Sequence, residues 1–182
     1  MKLSIIVVNY KSRPLTTHLI ESLLNNPLPS RSEIIVVDNN SQDNSVELLS
    51  SDFPEVTVIA NKTNVGLAAA VNKAMKFAKG EYFLILNPDI IVRPGSLHNL
   101  LTFMEQHKQV CIAGRRFESP SGQLQYSCYR FYTPLTILYR RTFLGRTKRG
   151  RVQLRSFLMK DFDHKTARDV VWLMGACLMV RR

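Results

Sequence analysis

The chain has 182 residues, enough for one domain of ordinary size, and 45% of them are apolar, which is normal for a folded core. No apolar run reaches the roughly 18 residues that a membrane-spanning helix needs. The net charge is +11 and the pI is near 9.9, so the expected partner is anionic: nucleic acid, an anionic membrane face or a phosphorylated substrate.

Two features of the sequence bear on the cellular compartment: the N-terminal stretch and the cysteines. The N-terminal stretch lacks a small-residue cleavage site, so we predict a first strand there rather than a signal peptide. Cys111, Cys128 and Cys177 are isolated and odd in number, and they form neither a zinc-ligand spacing nor a disulfide framework. They favour a reducing cytosolic location.

Apolar runs predict buried strands along the first part of the chain, and helical periodicity predicts helices between them. The predicted strands are 3–8, 33–37, 56–60, 82–86 and 110–114, and the predicted helices are 15–24, 41–49, 67–78 and 96–107. Ser41 or Asp43 is the expected cap of the second helix. This alternation over residues 1–114 is typical of a parallel, doubly wound α/β sheet.

Polar side chains follow four of these strands, at Asn9, Asp38, Asn61 and Asn87. Right-handed crossovers bring the strand ends to one edge of the sheet, where ligands bind in open α/β folds. After the strand at 82–86, Pro88 separates Asn87 from Asp89, and a carboxylate there can hold a divalent cation that in turn holds phosphate oxygens. The alternative is an ordinary turn, because Asn, Pro and Asp are also common turn residues.

Residues 115–182 have a different pattern, and we assign them to a second segment of the same single domain. Residues 134–157, called the basic segment below, alternate apolar and cationic residues. The run from 170 to 180 is predicted as a final buried strand with Gly175 inside it.

Four motifs together resemble the family 2 glycosyltransferases of GT-A fold, in particular their rhamnosyltransferase-like branch. The motifs are Ser4-Ile5-Ile6-Val7-Val8-Asn9-Tyr10, Ile35-Val36-Val37-Asp38-Asn39-Asn40-Ser41-Gln42-Asp43, Asn64-Val65-Gly66-Leu67-Ala68-Ala69-Ala70-Val71-Asn72 and Leu86-Asn87-Pro88-Asp89, and the late run 171–182 matches as well. The resemblance implies a Rossmann-like, mostly parallel α/β sheet with helices on both faces. It also implies transfer of a sugar from a nucleotide-diphosphate sugar to a glycan or lipid-linked acceptor, usually with inversion and with Mg²⁺ or Mn²⁺.

The resemblance also implies roles for the donor-side residues. Tyr10 and Asp38 match positions that hold the base and ribose, and a carboxylate can accept hydrogen bonds from both. Asn64, Gly66 and Asn72 match the loop and helix that line the nucleotide, although Gly66 is alternatively a plain helix-start glycine.

The metal motif departs from the family pattern, because Asn87 replaces the first carboxylate of Asp-x-Asp. Asp89 remains as the metal ligand, and Asn87 could supply a neutral oxygen or touch the donor. One carboxylate fewer should weaken metal binding. Many members of the branch carry this substitution, so it does not imply inactivation.

The resemblance assigns residues 115–182 to the acceptor side. There it covers Trp172, Gly175 and Ala176, whose alternative is a core tryptophan and a strand glycine. The family's catalytic base is a carboxylate further downstream, beyond residue 182, and inversion needs it to deprotonate the acceptor hydroxyl. The acidic stretch matches no base position and is predicted to be a solvated loop; it comprises Asp161, Asp163, His164 and Asp169. We therefore expect a truncated transferase that binds donor but transfers poorly or not at all.

The basic segment is predicted to form an amphipathic, cationic surface. Such a surface would dock the protein peripherally on the anionic cytoplasmic leaflet, where lipid-linked acceptors lie. The alternatives are a merely solvated basic face and a nucleic-acid-binding surface, although no recognisable nucleic-acid motif supports the latter. A nucleotide kinase is disfavoured because the chain has no Gly-x-x-x-x-Gly-Lys-Ser/Thr loop. A non-catalytic nucleotide-sugar or membrane-binding protein therefore remains the alternative to the transferase.

Overall fold

The structure, a computed structural model, describes residues 2–182 and contains strands and helices in alternation over its first part. Its strands are β1 (Leu3–Asn9), β2 (Ser32–Asp38), β3 (Val56–Ala60), β4 (Tyr82–Leu86), β5 (Ile112–Gly114), β6 (Phe117–Glu118), β7 (Leu124–Gln125), β8 (Cys128–Tyr129), β9 (Trp172–Leu173) and β10 (Cys177–Arg181). Its α-helices are α1 (Arg13–Leu24), α2 (Ser45–Asp52), α3 (Leu67–Phe77), α4 (Ser96–Gln106), α5 (Pro134–Arg141) and α6 (Lys148–Phe157). None of the helices in the described residues is long and apolar enough to cross a bilayer.

A six-stranded sheet has the order β3-β2-β1-β4-β10-β5. The pairs β1–β2, β1–β4 and β2–β3 are parallel, whereas β10 runs antiparallel to β4. Nearly every residue of β1 is buried, as expected for a strand covered on both faces. The predicted mostly parallel α/β sheet is therefore confirmed over this part of the chain.

Helix α3 packs on the sheet through small side chains. Ala70, Val71 and Ala74 are buried in one cluster with Ile6 of β1 and Phe83 of β4. Alanines on this face bring the helix backbone close to the strands, and they also favour the helix itself. The packing holds the start of α3 beside the strand ends.

Gly80, just before β4, allows a close approach to β1. Its N–H donates to Ser4 Oγ at 2.8 Å, and a Cβ at this position would lie 2.6 Å from Ser4 N and 2.7 Å from Ser4 Oγ. Because backbone cannot move aside cheaply, we expect Gly80→Ala to lower the free energy of unfolding by about 1–3 kcal/mol. Urea denaturation measures this effect. The matched control is Gly175→Ala, where a Cβ meets open space, and equal losses in both variants would contradict the prediction.

The second predicted helix begins later than the sequence pattern indicated. The prediction of residues 41–49 was wrong at its start, because α2 begins at Ser45 and neither Ser41 nor Asp43 is its N-cap residue. Three residues before it have left-handed backbone angles that a right-handed helix cannot include: Asn40 at φ 66°, Gln42 at φ 59° and Asn44 at φ 56°. Local side-chain hydrogen bonds compensate, as when Asp43 Oδ1 accepts from Ser45 N at 3.2 Å.

The predicted single strand over 170–180 was also wrong, since the chain forms two strands there, β9 and β10, separated by a turn at Gly175 and Ala176. Strand β9 pairs with β8, and Met174 N donates to Ser127 O at 2.7 Å. Strand β10 instead pairs with β4. A change of hydrogen-bonding partner requires a break in the strand, and a glycine makes that break cheap.

The described part of the chain divides into two compact units, residues 2–113 with 175–182, and residues 114–174. The first contains the sheet. The second contains the small pairs β6–β7 and β8–β9 together with α5 and α6. In it, the Phe157 ring stacks on Tyr129 at 5.3 Å and lies 4.5 Å from the ring of Tyr132.

Candidate functional site

The carboxyl ends of β1, β2 and β4 meet at one edge of the sheet. Asn9 pairs with Asp38 across β1 and β2, and Val7 pairs with Leu86 across β1 and β4. Neighbouring strands lie about 4.8 Å apart, so the ends of β2 and β4 are separated by about 10 Å across β1. Asp38 and the segment Asn87–Asp89 therefore leave the sheet at the same edge.

Asn9 and Asp38 form a buried polar network at this edge. Asn9 Nδ2 donates to Asp38 Oδ1 at 2.7 Å and to Ser41 Oγ at 3.1 Å. Asn9 Oδ1 accepts from Thr16 Oγ1 at 2.9 Å and from Ser12 Oγ at 3.1 Å. Asn9 thereby uses all four hydrogen-bonding positions of its amide, and the whole side chain is inaccessible to solvent.

Asp38 is only 3% exposed, and its carboxylate is largely committed to the protein. Oδ1 accepts from Asn9 and from the Ser41 hydroxyl, while Oδ2 accepts from Ser41 N at 2.9 Å. With about two acceptor positions on each oxygen, one position on Oδ2 is left. Any nucleotide contact to Asp38 is limited to that position.

Asn39 is a residue that sequence reasoning quoted within a motif without giving it a role. It is buried, and its Nδ2 donates to Asn64 Oδ1 at 2.7 Å. Its Oδ1 accepts from Asn61 Nδ2 at 3.0 Å and from Val65 N at 3.1 Å. These bonds fasten the loop between β3 and α3 to the end of β2. Because the partners are more than 20 residues away, no local pattern could reveal this role.

The loop between β3 and α3 presents exposed residues and an open backbone. Gly66 has φ +80°, an angle that favours glycine, and a Cβ there would meet nothing within 4 Å. Its N–H donates to Asn64 Oδ1 at 3.0 Å. Asn72 is exposed on the following helix. The first N–H groups of α3 have no acceptor within the helix, so they are available to an anion.

Asn87 and Asp89 follow β4 at this edge, and their side chains are less committed to other protein groups than that of Asp38. Asn87 is half-buried, and its backbone N donates to Ala176 O at 2.9 Å. Asp89 is exposed, and its carboxylate makes no hydrogen bond or ion pair with any of residues 2–182. That part of the chain also holds no cluster of three His, Cys, Asp or Glu side chains. One carboxylate with a neighbouring amide oxygen fits a cation whose other ligands are phosphate oxygens and water.

The four remaining predicted site residues differ in their exposure and surroundings. Tyr10 is 44% exposed, and Lys11 Nζ lies 5.6 Å from its ring centroid. Ala176 lies against Asn87 through the hydrogen bond described above, and Gly175 precedes it in the same turn. Trp172 belongs to the unit 114–174, where it is 47% exposed and packs edge-on against Tyr132.

The acidic stretch is only partly the solvated loop that the sequence predicted. Asp161, Asp163 and Asp169 are exposed. Asp161 has a lowered pKa, first because of its own backbone N–H and then because of Arg130, which donates to it at 2.7 Å. His164 corrects the prediction, because it is buried beside the Cys128 thiol with Nδ1 3.6 Å from Sγ. Burial raises the pKa of that thiol, so the pair is a packed structural contact.

Several known proteins resemble this chain in sequence and fold. Poly(ribitol-phosphate) beta-glucosyltransferase of Bacillus spizizenii is 32% identical over 120 residues, which are 63% of this chain and 19% of that protein. The crystal structure of S. aureus TarS 1–349 with UDP-GlcNAc has a TM-score of 0.60 at 25% identity, covering 76% of this chain and 43% of that one. Mannosyltransferase PcManGT from Pyrobaculum calidifontis, solved with GDP-Man and Mn²⁺, has a TM-score of 0.55 at 22% identity, covering 66% and 36%, and supports the fold alone.

The chain spans less than half the length of the curated relatives that it matches. The predicted GT-A fold, with a mostly parallel sheet and helices, is confirmed by these structural neighbours. The model of glycosyl transferase family 2 matches residues 4–168, which is most of the sequence. Together with the glycosyltransferases among the relatives, this match shows that the chain belongs to glycosyl transferase family 2.

Proposed function

We propose that the chain binds a nucleotide-diphosphate sugar at the carboxyl edge of β1, β2 and β4, and that it serves the transfer of that sugar. The observation that carries the proposal is Asp89, an exposed carboxylate without a protein partner in residues 2–182, at the edge that also bears Asp38. An exposed carboxylate can hold a cation, and that cation can in turn bind the phosphates of a nucleotide.

The donor would contact two groups of residues. Tyr10 offers an exposed ring to the base, and the free position on Asp38 Oδ2 can accept one hydrogen bond from the base or ribose. Asn64, Gly66 and Asn72 line the nucleotide along the start of α3. The open space at Gly66 leaves backbone atoms accessible there.

Asp89 and Asn87 would face the diphosphate, with Mg²⁺ or Mn²⁺ held by Asp89. When bound, such a cation neutralises charge on the departing nucleoside diphosphate. Asn87 supplies an amide oxygen or a donor to the sugar phosphate. Since only one carboxylate is present, the diphosphate itself must complete the coordination, and cation and nucleotide should bind cooperatively.

The acceptor would enter beside Gly175 and Ala176, whose turn is hydrogen-bonded to Asn87. Trp172 is a separate candidate for an acceptor contact, within the unit 114–174. The acceptor proposed is a glycan, a cell-wall polymer or a lipid-linked saccharide, because the relatives include a poly(ribitol-phosphate) glucosyltransferase. Inversion at the anomeric carbon and the rhamnosyltransferase-like branch are part of the same proposal.

The alternative to transfer is a non-catalytic role, in which the donor binds and is not turned over. The two candidates share the same donor site. They differ in turnover, because inversion requires a group that deprotonates the acceptor hydroxyl. Release of nucleoside diphosphate in the presence of a saccharide acceptor supports the first candidate, and donor binding without release supports the second.

Calorimetric titration with UDP, dTDP and GDP, each with and without Mn²⁺, tests the proposal. We expect at least one nucleoside diphosphate to bind, with an affinity at least tenfold higher in Mn²⁺, because one carboxylate and the diphosphate share the cation. Titration with the corresponding nucleoside is the control, since it lacks the phosphates and should show no cation dependence. Binding of none of the three diphosphates at millimolar concentration would contradict the proposal.

A further inference from the structure

The basic segment folds into an ordered helical structure within the unit 114–174. Helices α5 and α6 flank a 3-10 turn at Phe143–Arg146, and the Thr133 and Thr147 side chains cap the two helices. Gly150 permits close packing, since a Cβ there would lie 2.3 Å from Leu144 O. The exposed side chains of the segment therefore stand on a defined scaffold.

The outer face of α5 is apolar apart from Arg141 in the last turn. Thr136 is its buried residue, and the opposite side of the helix carries Leu135, Ile137 and Leu138, which are all exposed. Phe143 follows immediately and is 78% exposed. Four large apolar side chains exposed along nine residues form a patch, and such patches mark a partner surface.

The outer face of α6 is cationic. Gly150 and Phe157 are its buried residues, and Lys148, Arg149 and Arg151 are exposed in its first turn. The first turn of a helix is the positive end of its dipole, so basic residues there oppose helix stability. The turn contains no acidic residue to offset them. Because these basic residues lower the stability of the helix, their presence in its first turn indicates an anionic partner.

The protein itself does not neutralise these charges. Residues 119–160 contain nine Lys and Arg and no Asp or Glu. Arg130 pairs with Asp161, and Arg140 lies over the rings of Tyr132 and Phe157. In contrast, five basic side chains make no ion pair with any of residues 2–182: Arg141, Arg146, Lys148, Arg149 and Arg151.

We propose that the basic segment docks the protein on an anionic lipid bilayer. The α6 face binds anionic headgroups, and Leu138 and Phe143 insert at the boundary of the acyl chains. Three of the four exposed apolar side chains, Leu135, Ile137 and Leu138, are aliphatic and cannot stack on bases, which favours the acyl chains of a bilayer over a nucleic acid. The proposal does not rest on donor binding, since the basic segment and Asp89 belong to different units of the chain.

Co-sedimentation of the full chain with vesicles tests the proposal. We expect binding to vesicles of phosphatidylcholine with about 30% phosphatidylglycerol, much weaker binding to phosphatidylcholine alone, and weakening at 0.5 M salt. Lys148→Gln with Arg149→Gln and Arg151→Gln should weaken binding about a hundredfold. The same variant should melt no lower than the unmodified chain, because it removes charges that oppose the helix dipole.

Two matched controls separate this surface from net charge and general hydrophobicity. The triple change Lys76→Gln, Lys79→Gln and Lys108→Gln removes the same charge from exposed positions outside the segment and should leave most binding intact. Phe143→Ser should weaken binding at least tenfold, whereas Phe77→Ser, at a residue 55% exposed on α3, should not. Equal binding to neutral and anionic vesicles, equal loss in both charge variants, or binding to single-stranded RNA without binding to vesicles would overturn the proposal.

Discussion

Replacing Asp89 with asparagine is expected to weaken Mn²⁺-dependent binding of a nucleoside diphosphate about 10- to 100-fold. The loss corresponds to about 1.5–3 kcal/mol, the usual value of a hydrogen bond or short contact with a charged group. An amide keeps the size of the side chain but removes the negative charge that holds a cation. Binding of the nucleotide without Mn²⁺ should change little, and calorimetry in both conditions measures the difference.

The change should leave the fold intact, because Asp89 is exposed and has no partner within residues 2–182. We expect the free energy of unfolding to shift by less than about 0.5 kcal/mol. Asp52→Asn is the matched control, since Asp52 is also exposed but ends α2 immediately before β3, at the opposite edge of the sheet. If Asp52→Asn weakened cation-dependent binding as much as Asp89→Asn, the assignment of the cation to Asp89 would be wrong.

The second large effect concerns stability, and it follows from Asn9→Asp. This change replaces the Nδ2 donor, 2.7 Å from Asp38 Oδ1, with a second carboxylate oxygen. Both residues are buried, so two unscreened negative charges face each other. We expect the free energy of unfolding at pH 7 to fall by about 3–5 kcal/mol, the usual cost of an uncompensated buried charge. Urea denaturation measures this quantity.

A double variant tests the cause of that loss. Asn9→Asp combined with Asp38→Asn exchanges the two side chains and restores one donor and one carboxylate, so it should recover at least about 1 kcal/mol. Asn99→Asp serves as the control, because Asn99 is exposed in the first turns of α4, where an acidic residue is tolerated. A stability loss in Asn9→Asp no larger than that of Asn99→Asp would show that the buried network contributes little.

Much of the fold followed from local patterns. The strands of the central sheet were predictable because both of their faces are covered, which favours apolar runs such as Ile5-Ile6-Val7-Val8 within β1. Alternation with helices then implied parallel pairing, and parallel pairing implied that Asn9, Asp38 and Asn87 share one edge. The register between β1 and its neighbours agrees with that inference.

Other features depended on contacts between distant residues. The sequence pattern started the second helix at residue 41, yet Asp38 holds Ser41 and the chain turns through left-handed residues before α2 begins. The apolar run at 170–180 contained no signal for its division, because β9 and β10 take different partner strands. His164 looked like part of a solvated loop, but Cys128, 36 residues away, lies against it in the interior.

The amino-acid sequence by itself determined the order of elements, the polar tips after the strands and the excess of positive charge, because each is a property of neighbouring residues. Only the tertiary structure decided which polar groups remain free to act. Asp38 satisfies most of its hydrogen-bonding capacity within the protein, whereas Asp89 satisfies none of it among residues 2–182. The two carboxylates look alike in the sequence, and they differ because a folded chain surrounds one with donors and leaves the other in water.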